Sequence, residues 1–172
     1  MTEILPHDAP TPLGKPVIMT HYVDANLFHD ALTGRSVTGI LHLLNATPID
    51  WYSKKQATIE IATYGSEFVA ARIDTEHIID LRITLQNMSV SLDGPSWLLG
   101  DNQSVVTSST IPQSVMAKCH TALSYHRVRA AISTGMMYFC HVSGKENPAD
   151  IMTKLLPYSV FWPLIKPILF WR

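Results

Sequence analysis

Four acidic residues stand where the chain turns or changes element: Asp24 in "VDAN", Glu67 in "GSEF", Asp101 in "LLGDNQSVV" and Asp150 in "NPAD". Asp101 follows an apolar run and precedes three polar residues, a place from which an Asp can cap the next helix. A different role opens if the four meet. Carboxylates at the ends of separate elements can converge on one rim of a sheet, where mutual repulsion raises their pKa values unless a cation sits among them. A cluster made only of carboxylate oxygens suits Mg2+. The chemistry open to it is that of a bound divalent metal.

The elements that must position these acids belong to a chain of 172 residues, enough for one domain that buries about 70% of its unfolded surface. With 47% hydrophobic and 16% charged residues the composition is that of an ordinary globular protein. A net charge of −1 shows no overall basic field, although a site that gathers carboxylates cancels basic patches in the sum. Cys119 and Cys140 fall on segments that read as helix and strand, and are expected to be free thiols in a reducing, intracellular compartment. "MTEILPHDAP" has no basic region followed by an apolar core, so no signal peptide is expected. The tail "LLPYSVFWPLIKPILFWR" is apolar, but Pro157, Pro163, Pro167 and Lys166 argue against a membrane span and for a packed segment.

Residues 1–16 read as a Pro-rich linker, 17–154 as one domain and 155–172 as an apolar tail. Strands are predicted over 17–26, 36–45 and 48–55. The short turn Asn45-Ala46-Thr47 makes the last two a hairpin, so the first three strands run antiparallel. Val69 with Ile73, Ile79 with Ile83 and Leu81 with Leu85 recur at helical spacing, which predicts a helix over 65–87 with Glu67 in its first turn. "GPSWLLGD" supplies a fourth strand and "NQSVVTSS" a short helix. A helix over 114–134 stops at Gly135, and "MMYFCHVS" is a fifth strand. "NPADIMTK" opens a last helix, with Asn147 as cap and Pro148 at its first position. The order describes an α/β protein with a mixed five-stranded sheet flanked by helices.

From Pro12 to Lys154 the chain resembles the ribonuclease H domain at the C-terminal end of copia-type LTR retrotransposon polyproteins. The matching stretches, in the right order, are "VDAN", "SVTGILHLLNATPIDWYSKKQATIEIATYGSEFVAAR", "GDNQSVV", "YHRVR" and "NPADIMTK". The resemblance implies an RNase H-like fold and a catalytic, metal-binding Asp-Glu-Asp-Asp quartet at Asp24, Glu67, Asp101 and Asp150. It also implies endonucleolytic hydrolysis of the RNA strand of RNA/DNA hybrids by two Mg2+ ions, with Mn2+ able to substitute. In that scheme Asp24 bridges both ions, Asp150 completes the water-activating ion, and Glu67 with Asp101 hold the leaving-group side. The implied partners are an RNA/DNA hybrid and an adjacent reverse transcriptase, in cytoplasmic virus-like particles or the nucleus.

Telling RNA from DNA requires reading the 2′-hydroxyl, a role the resemblance gives to Asn102, Gln103 and Ser104. Lys118, His120, His126, Arg127 and Arg129 are candidates for phosphate contacts, in a run that also fits a solvated helix face. The loop "VSGKENPAD" lacks the histidine that many such enzymes carry there, leaving His141 and Lys145 as substitutes. Strand-transfer enzymes of this fold end their acidic set with Glu, whereas here Asp150 is last and Glu67 second, which argues against that class. A non-catalytic module that binds nucleic acid or supports a reverse transcriptase is disfavoured because all four acids are present.

Overall fold

The structure, a computed structural model, describes residues 11, 13–114 and 122–169. Its centre is a five-stranded sheet made of β2 (Met19–Asp30), β3 (Arg35–Leu44), β4 (Thr47–Lys55), β6 (Ser96–Gly100) and β7 (Met137–His141), in the order β4-β3-β2-β6-β7. The pairs β2–β3 and β3–β4 are antiparallel, whereas β2–β6 and β6–β7 are parallel. Asn45, at φ 54°, takes the left-handed turn between β3 and β4, and its side-chain oxygen accepts a bond from the Ile18 N–H at 3.0 Å. Left-handed backbone is a conformation that Asn tolerates better than most residues.

Nearly every residue of β3 is buried, so both of its faces are covered. It contacts helix α1 (Thr63–Asn87) and a short 3-10 helix, Pro148–Met152. Val23, Ile40, Phe68, Ile78, Leu98 and Met137 form the middle of the core. The edge strand β4 is mostly exposed and carries Lys54 and Lys55, which discourages further strand pairing.

Three expectations change in position or kind. Helix α1 starts at Thr63, two residues before the predicted start, so Glu67 lies in its second turn, not its first. Its inward stripe is Glu67, Phe68, Ala71, Asp74, Thr75, Ile78, Arg82 and Leu85, while Ile83 is exposed. Its polar members hide that stripe from a purely apolar periodicity. Residues 13–17 of the N-terminal region form a strand, β1 (Leu13–Val17), paired in parallel with the unpredicted β5 (Val90–Leu92). "NPADIM" folds as the 3-10 helix, with Asn147 accepting the Ala149 N–H at 3.1 Å and Pro148 first, as expected.

Helix α2 (Gln103–Thr110) follows β6, and α3 (Ala122–Ser133) ends near Gly135, whose φ of +74° suits glycine. Of the predicted 114–134 helix, residues 115–121, with Lys118, Cys119 and His120, lie outside the described residues, while Ser114 and Thr134 are not helical. The tail forms α4 (Tyr158–Ile165), which buries Leu164 and lines a cleft with Tyr22, Leu41 and Leu43. Tyr158, Val160 and Leu169 stay exposed. No described helix is long and apolar enough to cross a membrane.

Gly39 lets the 3-10 helix lie directly on β3. A Cβ at Gly39 would come within 2.6 Å of Thr153 Cγ2, 2.8 Å of the Ala149 carbonyl and 2.9 Å of Met152 Cβ. Glycine in a strand often marks such a close backbone approach. Gly39→Ala should therefore push the Asp150-bearing segment away and destabilise the fold by about 1–3 kcal/mol. Denaturant unfolding measures this, and unchanged stability would show that the segment does not seat on β3 as described.

Candidate active site

Asp24 lies on β2 opposite Gly39 of β3 and is only 1% exposed. Glu67 reaches in from α1 at 6% exposure, and Asp101 directly follows the end of β6. One carboxylate oxygen from each of these three lies within 4.8 Å of the others. Asp150 joins them through Lys154, whose Nζ lies 2.7 Å from Asp150 Oδ1 and 3.2 Å from Asp24 Oδ1. The structure thus brings the four predicted acids to one rim.

The first cap of α2 is Asn102, not Asp101: the Asn102 side-chain oxygen accepts from the N–H groups of Ser104 and Val105. That leaves the Asp101 carboxylate facing the cluster. The segment that carries Asp150 is tied down by side chains from three places. Asn147 donates to the Val23 carbonyl at 2.9 Å, Asn26 to the Thr153 carbonyl at 3.1 Å, and Ser53 to the Met152 carbonyl at 2.6 Å. The Thr153 hydroxyl donates to Asp24 Oδ2. Gly144 brings the preceding loop onto Asp101, since a Cβ there would sit 3.1 Å from its Oδ2.

Crowding of like charge shows in the ionisation of the acids. Burial, then Asp24 and Asp101, push the Glu67 carboxyl well above its usual range. Burial, then Asp24, raise Asp101. Burial and the nearby Asp24 and Asp101 also raise Asp150, against the hydrogen bond from Lys154. Burial opposes the charge on Lys154, but its bond to Asp150 and the charge of Asp24 outweigh that and raise its pKa. The ammonium therefore stands where the cluster calls for positive charge. A donor set of carboxylate oxygens that concentrates negative charge fits a hard divalent cation.

Thr153 and Lys154 were not singled out from the sequence, although both stand in "NPADIMTK"; the signal was a Lys four residues after Asp150. Gln103 and Ser104 are exposed beside Asp101, and His126 and Arg127 are exposed on α3. Arg129 differs from expectation. Its guanidinium donates to the carbonyls of Ser108, Ile111 and Pro112 and to the Tyr125 hydroxyl, so it ties α3 to the C-terminal end of α2. His141 Nε2 lies 3.1 Å from the Asp101 carbonyl oxygen, close to the rim. Lys145 is exposed in the neighbouring loop.

The raised carboxyls set a sign for pH dependence. At a pH above the ordinary Glu value of 4.5, the folded state keeps a proton on Glu67 that the unfolded chain has released. The stability that this group contributes is therefore full below about pH 4.5 and is lost as pH rises through its raised pKa. In chelator, Glu67→Gln should melt with the wild type at pH 4 and above it at pH 8. Millimolar Mg2+ should close that gap by stabilising the wild type alone. Thermal melts across pH, with and without Mg2+, read both effects. A gap that is constant with pH contradicts the charge crowding.

No family model matches the chain. It is similar to the retrovirus-related Pol polyprotein from transposon TNT 1-94 of Nicotiana tabacum, at 28% identity over 148 residues, covering 86% of this chain and 11% of the relative. It is also similar to that from transposon RE2 of Arabidopsis thaliana, at 26% identity over 148 residues, covering 86% of this chain and 10% of the relative. The chain thus spans about a tenth of the length of these relatives. Among solved structures, the N-terminal RNase H domain of a Mycobacterium tuberculosis protein superposes with a TM-score of 0.59 at 13% identity, covering 87% of this chain and 97% of that one. An RNase H1 isolated from compost, in complex with an RNA/DNA hybrid, gives 0.57 at 14% identity over 78% of this chain and 93% of that one. A foamy viral protease-reverse transcriptase in complex with an RNA/DNA hybrid gives 0.55 at 11% identity over 92% of this chain and 22% of that one. The protein has an RNase H-like fold, and its homologues are retrovirus-related Pol polyproteins of plant transposons.

Proposed function

We propose that the chain is a Mg2+-dependent ribonuclease H, an endonuclease that hydrolyses the RNA strand of RNA/DNA hybrids beside a reverse transcriptase in a copia-type polyprotein. The observation that carries this reading is the meeting of Asp24, Glu67 and Asp101 within 4.8 Å on the rim of an RNase H-like sheet, with Asp150 joined through Lys154. The Pol polyprotein homologues and the hybrid-bound structural neighbours support it.

Asp24, Glu67, Asp101 and Asp150 would hold the metal. When bound, a pair of Mg2+ ions stabilises the attacking and departing oxygens of an in-line phosphodiester displacement. The protein's own part is positional. The Thr153 hydroxyl and the burial of Asp24 fix the central carboxylate, and Asn147 fixes the segment that presents Asp150. Lys154 offsets the repulsion between Asp24 and Asp150 and lets the two carboxylates stay close. Gln103 and Ser104, exposed next to Asp101, would read the 2′-hydroxyl of the RNA strand. His126 and Arg127 offer positive charge to phosphates. His141, beside Asp101, takes the role of the missing loop histidine. The exposed apolar side chains around α4 offer the neighbouring reverse transcriptase a surface.

Incubation with an RNA/DNA hybrid labelled on the RNA strand tests the reading. Cleavage is expected in Mg2+ and Mn2+ and not in Ca2+, whose looser coordination suits binding more than in-line attack, nor in chelator. Asp24→Asn should lower the rate by more than about 100-fold, beyond what loss of an outer-shell partner costs. Its melting temperature in chelator should hold or rise, because a carboxylate leaves a like-charged cluster. Salt-sensitive hybrid binding with no cleavage in either metal would identify a binding module instead.

A further inference from the structure

Behind the rim, inside the core, stands a second group of ligating side chains. His21 on β2 and His42 on β3 are cross-strand partners, and Asp74 reaches them from α1. All three side chains are 0% exposed. Neither Asp74 oxygen has a hydrogen-bond partner, and neither does His21 Nε2. A sealed carboxylate without a single donor is rare and costly. The nearest imidazole nitrogens, His42 Nδ1 at 3.6 Å and His21 Nδ1 at 4.0 Å, are too far from Asp74 Oδ1 to donate.

We propose that His21, His42 and Asp74 form a buried structural site for a divalent transition cation of the zinc type. The three ligand atoms bound a triangle with edges of 2.6 Å between the two Nδ1 atoms, 3.6 Å and 4.0 Å. Ligands at about 2.0–2.1 Å around a tetrahedral zinc lie about 3.4 Å apart; the edges to Asp74 are near or above that length, whereas the 2.6 Å edge is a hydrogen bond between the two imidazoles that a metal would replace by drawing the nitrogens apart. The unpartnered second oxygen of Asp74 is available as a fourth donor.

The surroundings suit such a site. His77, one turn after Asp74 on α1, places its Nδ1 3.3 Å from His42 Nε2. An outer partner of that kind turns the other nitrogen of a ligating histidine, with its lone pair, toward a metal. Ligating imidazoles must be neutral. Burial, followed by His77, holds His42 down to about 4, and burial, followed by His42 and Arg82, lowers His21. Two imidazoles and one carboxylate favour zinc over magnesium, in contrast to the all-carboxylate rim. The sealed position fits a metal that closes structure between β2, β3 and α1.

Titration of the metal-free full-length chain with Zn2+, in millimolar Mg2+ to occupy the rim, tests the proposal. One Zn2+ per chain should bind with a sub-micromolar Kd. At about 100-fold excess over that Kd the melting temperature should rise by roughly 5–10 °C. Co2+ in place of Zn2+ should give the visible absorption of a tetrahedral nitrogen–oxygen site. Asp74→Asn and His42→Gln should each weaken Zn2+ at least about 100-fold, and Asp74→Asn should melt higher than the wild type without metal, since it removes a buried unpaired carboxylate. Failure of the wild type to bind Zn2+ stoichiometrically would overturn the proposal, whether or not the variants fold. So would binding that persists in Asp74→Asn but disappears in Asp101→Asn, which would place the zinc on the rim.

Discussion

Like charge held close together, partly out of water, is the constraint around which this molecule is arranged. Asp24 and Glu67 are almost sealed, Asp101 and Asp150 stand beside them, and burial together with the neighbouring acids raises the proton affinity of Glu67, Asp101 and Asp150. Four separate segments deliver them, so no local sequence could gather the cluster; only the sheet order and the seating of the 3-10 helix do so. Lys154 offsets part of the repulsion with a single flexible charge. A divalent cation would offset more, from a fixed position, and that difference would turn an electrostatic liability into a binding site.

The same strand and helix serve two kinds of chemistry. Along β2, Asp24 belongs to the rim and His21 to the interior; along α1, Glu67 faces the rim and Asp74, two turns later, faces the two histidines. A helix returns to the same face after about two turns, so one inward stripe carries both acids. That stripe also bears Thr75 and Arg82, with Arg82 donating to the Gly94 carbonyl and the Ser96 hydroxyl. The long helix is thus held against the sheet by polar side chains as well as by Phe68 and Ile78.

Much of this was legible in the sequence wherever a local rule was enough. The Asn45 turn, the Gly135 stop and the Asn147–Pro148 start each depend on backbone chemistry within a few residues, and each stands where it was read. The five strands of the main sheet were legible too, and the motifs in order named the four acids that the structure brings to one rim. What could not be read depends on distant partners. The β1–β5 pair joins segments more than seventy residues apart. Asp101 was an equally good cap by type, but the turn geometry gave the cap to Asn102. Arg129 looks like a phosphate contact in "YHRVR" until the carbonyls at the end of α2 surround it. The inward stripe of α1 escaped because Thr75 bonds within the helix to the Ala71 carbonyl, Arg82 is satisfied by distant partners, and Asp74 is left without a hydrogen-bond partner.

The central claim is that the rim carboxylates bind divalent cations. Anomalous diffraction from crystals soaked in Mn2+ tests it most directly. The account predicts manganese bounded by Asp24, Glu67 and Asp101, with the Lys154 ammonium drawn off Asp24 toward Asp150. Crystals with no ordered manganese at the rim in millimolar Mn2+, and with Lys154 still bridging Asp24 and Asp150, would contradict it.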